Sequence, residues 1–84
     1  MPFTHEQVSN IMQSSDFDDA DKWVVKWQCG YLGDFQTALA KAIACADDTN
    51  LVYLSMGFDM QVKGFKRWTR GDLAKRLRNA GLDI

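Results

Sequence analysis

Histidine occurs once in these 84 residues and cysteine twice, which leaves little material for acid–base catalysis or a metal site. His5 falls in the first turn of an N-terminal helix, with no second histidine to share a proton or a ligand. His5, Cys29 and Cys45 are too far apart for any zinc spacing, and CxxC is missing. Two cysteines do not make the disulfide framework of a small secreted domain, so both are expected to be reduced, buried, small apolar residues. Neither GxGxxG nor GxxxxGK occurs, so no glycine loop is set up to cradle phosphate. No apolar run approaches the ~20 residues of a membrane helix, and the N-terminus lacks the basic stretch and apolar core of a signal peptide. A cytoplasmic protein is the expectation, with no enzymatic activity, cofactor, metal, membrane contact or small-molecule substrate.

What is present is enough to fold. Apolar residues make up 46% of the chain and charged residues 25%, well away from the composition of disorder. A chain of this length forms one domain, 1–84, and buries a little over ~60% of its unfolded surface. Three tryptophans, five phenylalanines and two tyrosines, each able to bury roughly 150 to 250 Å², carry much of so small a core.

The patterning is helical throughout. Thr4 and Gln7 have the spacing of a capping box, and Phe3 and Val8 that of a hydrophobic staple, ahead of Ile11 and Met12. A second helix starts within 15–18, where acids favour the positive end of the helix dipole, and continues as the stripe Ala20, Trp23, Val24, Trp27 until Gly30. Asp34 is the expected cap of a central helix with the stripe Phe35, Ala38, Leu39, Ala42, Ile43 and Ala46. The run Leu51, Val52, Tyr53, Leu54, Met56 is too short to show its period; a buried helix is preferred and a strand is the alternative. Asp59 is then the expected cap for a partly periodic helix bearing Met60, Val62, Phe65 and Trp68, weakened at Gly64 by about 1 kcal/mol relative to alanine. Thr69 and Asp72 propose a last capping box, with Trp68 and Leu73 as its staple. Leu73, Ala74 and Leu77 face inward and Gly81 closes the chain's last helix. The sum is an all-α fold, a single compact bundle of about five short helices.

Carboxylates at Asp16, Asp18, Asp19 and Asp21 resemble the opening of a calcium loop. However, Ala20 stands at the third ligand position, Asp21 at the turn glycine and Trp27 at the bidentate glutamate. A solvated helix start explains them better. The same acids contribute to a sharp charge split: residues 1–62 carry nine acids against Lys22, Lys26 and Lys41, while residues 63–84 carry seven bases against Asp72 and Asp83. The candidate partner-binding residues are those seven: Lys63, Lys66, Arg67, Arg70, Lys75, Arg76 and Arg78. They could neutralise phosphates, meet a protein partner or another copy of this chain, or pack beside the acidic helix starts of the same chain. A formal net charge of −1 and pI ≈ 5.6 weigh against nucleic acid, whose binders are usually basic.

The segment Gly33 to Trp68, GDFQTALAKAIACADDTNLVYLSMGF followed by VKGFKRW, resembles a group of small uncharacterised proteins encoded by bacteriophages and prophages. In that group an F…AL..AI..AD..NL..L..GF string leads into a basic or aromatic helix. The likeness covers a little under half the chain and rests on apolar helix positions and on the junction Ala46, Asp47, Asn50, Leu51. Asp59 stands where those relatives are expected to have proline, so the following helix is expected to start differently. The resemblance implies a phage context, hence the interior of a bacterial host cell. It also implies action by binding a host or phage macromolecule, such as a defence or replication complex.

Overall fold

A computed structural model describes residues 5–82 as six α-helices, with no strand among them. They are α1 (His5–Gln13), α2 (Asp19–Gln28), α3 (Asp34–Cys45), α4 (Asp48–Gly57), α5 (Asp59–Arg70) and α6 (Leu73–Asn79). The count is six rather than about five, and the apolar run at 51–56 is helix. The cap and staple proposed at Phe3 and Thr4 lie outside the described residues.

Local chemistry accounts for most of the boundaries. Asp18 caps α2 by accepting the Asp21 N–H at 3.0 Å, and the Asp21 carboxylate accepts the Asp18 N–H in return, a capping box. The helix ends in a Schellman motif: Tyr31 N–H reaches the Lys26 carbonyl at 2.8 Å and Gly30 takes φ +76°, a backbone region closed to most side chains. Gly81, at φ +105°, ends α6 in the same way, with Leu82 N–H on the Leu77 carbonyl. Asp47 caps α4 through the Asn50 N–H at 2.8 Å.

Other expected starts are displaced. Asp34 and Asp59 are the first residues inside α3 and α5 rather than their caps, and α5 follows α4 with Phe58 alone between them. The Thr69–Asp72 capping box does not form. α5 runs on through Arg70, and the Thr69 hydroxyl donates to the Phe65 carbonyl one turn back at 3.0 Å, the alternative use of a threonine inside a helix.

The central helix is α5, which packs on α2, α3, α4 and α6, and not α3. Its crossing with α2 is close because Gly64 is buried: a Cβ there would lie 2.6 Å from the Ala20 carbonyl oxygen and 2.9 Å from Val24 Cγ2. Around this crossing lie Trp23, Val24, Val25, Val62, Leu73 and Leu77, with Leu39 and Ile43 from α3 and Leu51 from α4. Trp23 also ties α2 to α3, its indole N–H donating to Gln36 Oε1 at 2.9 Å. Trp27 stacks on Phe65, ring centroids 6.2 Å apart, and covers the α2–α5 seam.

The two thiols part company. Cys29 is buried at the end of α2, and burial pushes its pKa up, whereas Cys45 is exposed at the end of α3 and is not the core residue expected of it. A thiol reagent such as Ellman's should modify Cys45 rapidly in the native protein and Cys29 only on unfolding; fast reaction of both in the native state would contradict this packing.

Candidate functional site

The seven basic residues do not form one free surface. Arg67, on α5, and Arg76, on α6, turn inward to the start of α2. Arg67 Nη1 lies 2.7 Å from Asp18 Oδ1 and 3.0 Å from Asp21 Oδ1, and Arg76 Nη2 lies 3.3 Å from Asp21 Oδ2 and 3.0 Å from the Asp16 carbonyl oxygen. Asp21 is 2% exposed, and both its oxygens are held by these donors. The Arg76 guanidinium also sits 5.1 Å from the centre of the Phe17 ring, a cation–π contact. Part of the charge split along the sequence is thus neutralised inside the fold, and the run Asp16–Asp21 is tied to α5 and α6. Among the described residues no cluster of acids, histidine or cysteine has the arrangement of a metal site.

The remaining bases lie outside. Lys63 pairs with Asp59 at 3.0 Å across one turn, and Arg70 approaches Asp48 at 3.6 Å with both side chains well exposed, pairs of the kind that contribute little. Lys66, Lys75 and Arg78 are exposed and have no ion pair among the described residues.

The Arg67 guanidinium, bonded to Asp18 and helped by the Asp21 N–H, holds the Asp18 carboxyl below its ordinary 3.8, and Asp18 and Asp21 in turn raise Arg67. The Asp18 pKa is lowered on folding. Its contribution is therefore fully present above the unfolded value of 3.8 and is lost as pH falls through the folded one. Acid titration followed by circular dichroism should show this loss below about pH 4 in the natural chain and less of it in Asp18→Asn, which keeps the cap oxygen and removes the charge.

Besides these bases, the fold leaves an apolar surface largely uncovered. On α4 only Leu51 is buried; Val52, Tyr53 and Met56 are 57%, 65% and 76% exposed along the opposite side. On α3 the residues turned to the core are Leu39, Ala40 and Ile43, while Phe35 is 65% exposed and Ala38, Ala42 and Cys45 continue its exposed stripe. The two stripes meet in an open groove lined by Ala42, Cys45, Ala46, Asn50, Tyr53 and Leu54, and at the start of α3 Phe35 packs against Phe58, ring centroids 6.2 Å apart.

Phe35, Val52, Tyr53 and Met56 together leave on the order of 500 Å² in solvent. The groove offers a partner apolar contact, with the Tyr53 hydroxyl and Asn50 amide at its edge for hydrogen bonds.

Periodicity alone assigns these side chains to the core, because an apolar stripe predicts that a helix has a buried face and not how many of its faces find neighbours. One signal did point the other way. The run Leu51 to Met56 has apolar residues on every side of the helix, more than a single packing face can bury. No family model, curated protein or solved structure matches this chain.

Proposed function

We propose that the chain is a protein-binding module that acts by contact rather than by catalysis, docking its partner on the α3–α4 face. The observation that carries this reading is the exposed apolar stripe of Phe35, Val52, Tyr53 and Met56 beside an open groove, since single-chain surfaces of this kind mark interaction sites. The resemblance of Gly33 to Trp68 to phage-encoded proteins supports a host assembly, of defence or replication, as the setting, with the module as its modulator. Lys66, Lys75 and Arg78 would supply steering at the margin of such an interface. A nucleic-acid reading would rest on these same three residues, with Arg67 and Arg76 already engaged by Asp18 and Asp21.

A photo-crosslinking amino acid placed at Met56 and, in a second variant, at Lys75 separates the two readings. Crosslinks to one protein from position 56, and none to nucleic acid from position 75, are expected in bacterial cells producing the variants. Crosslinks to nucleic acid from position 75 alone would overturn the proposal.

A further inference from the structure

The α3–α4 face carries a charge sign as well as apolar surface, and the inference drawn from that sign rests on the reading of the face as a docking site. Between residues 34 and 58 the charged residues are Asp34, Asp47 and Asp48 against Lys41 alone. They stand at the two ends of α3. Asp34 opens α3 beside Phe35, and Asp47 and Asp48 open α4 beside Ala46 and Asn50. Acids are favoured at helix starts, and Asp47 is required as a cap, so their presence has a local cause. Their lack of counter-charge does not: Asp34 and Asp47 have no ion pair among the described residues, and Asp48 meets only the loosely placed Arg70.

We infer that the occupant of this groove is an amphipathic α-helix of the partner, with an apolar centre and lysine or arginine at both ends. The dimensions agree. α3 is 12 residues long, about 18 Å at 1.5 Å per residue, so a helix of similar length lying along its exposed stripe sets its ends over the two acidic positions. Anchors at i, i+4 and i+7 of that helix then rest over Ala38, Ala42 and Cys45, whose small side chains let another helix come close.

A second copy of the chain fits less well: two α3–α4 faces laid together in either direction bring acidic ends against acidic ends, and like charges in register oppose association. The chain's own free bases, Lys66, Lys75 and Arg78, lie on α5 and α6, where no large apolar side chain is exposed to pair with the face.

The test uses the full chain and two labelled synthetic helices that share one leucine face, one ending in lysines at both ends and the other in glutamates, with binding followed by fluorescence anisotropy. The lysine helix is expected to bind at least about tenfold more tightly, with the gap closing as salt is raised. Asp34→Asn/Asp47→Asn/Asp48→Asn, which preserves the cap at 47, is expected to remove most of the gap. Tyr53→Ser/Met56→Ser, at two exposed positions, should weaken both helices.

Equal binding of the two helices, indifference to the asparagine changes, or no binding of either overturns the inference. The crosslinking experiment at Met56 then judges the docking face separately. Sedimentation at twice 9.6 kDa, returned to 9.6 kDa by Met56→Lys, would assign the face to a second copy and likewise overturn it.

Discussion

Gly64→Ala should lower the melting temperature by about 10 °C, although alanine is the better helix former. Propensity alone predicts a gain of about 1 kcal/mol from removing a mid-helix glycine. The added methyl, however, would sit 2.6 Å from the Ala20 carbonyl oxygen. That oxygen belongs to helix backbone and cannot swing aside as a side-chain tip would, so α2 and α5 must separate along their whole contact. Overpacking of this kind costs about 1–3 kcal/mol, and a backbone obstacle puts the cost at the upper end, leaving a net loss of about 2 kcal/mol. For a domain of this size each kcal/mol is worth about 4–8 °C. Gly57→Ala is the matched control: it also lies in a helix, with nothing within 4 Å of the new Cβ, and should leave the melting temperature unchanged or slightly raised. Thermal unfolding of the two variants decides the matter, and equal melting temperatures would mean that the α2–α5 crossing is looser than the geometry states.

Removing both arginines that face Asp21 should be more damaging still. In Arg67→Met/Arg76→Met the alkyl parts of the side chains are largely retained. The Asp21 carboxylate, 3% exposed, is left with only the Asp18 N–H at 3.4 Å. Leaving a buried charge without its partner costs about 3–5 kcal/mol, a large part of the ~5–15 kcal/mol that holds a small domain together.

Adding Asp21→Leu should restore most of the loss at pH 7, because a packed apolar group can replace a buried ionic cluster. Denaturant titrations at pH 7 test both statements, and a double variant as stable as the natural chain would show that water already reaches Asp21.

The same two regions show where sequence reasoning ends. Capping chemistry is local, and the motifs around Asp18, Gly30, Asp47 and Gly81 are legible because each depends on residues within about one turn. Gly64 is legible as a weak point in α5, but its role is set by Ala20 and Val24 on another helix. Thr69 has two competing local partners, the next turn's amide and its own helix's carbonyl. Packing of the full length of α5 selects the second. The bases at 67 and 76 look equivalent to those at 66 and 78 in a one-dimensional charge plot; the helical angle of each, relative to the acidic start of α2, separates the paired from the free.

By itself the sequence determined the class of fold, the main stops and several starts of its helices, and the inward stripes of α2 and α6, because all of these follow from periods of 3.6 residues and from hydrogen bonds made close by. Only the tertiary structure decided that α5 rather than α3 is central, that the basic segment is half consumed by the chain's own acids, and that α3 and α4 keep an apolar face in solvent. Burial is a property of pairs of surfaces. A stripe of apolar residues says that a helix can be covered, and the arrangement of the other five helices says whether it is.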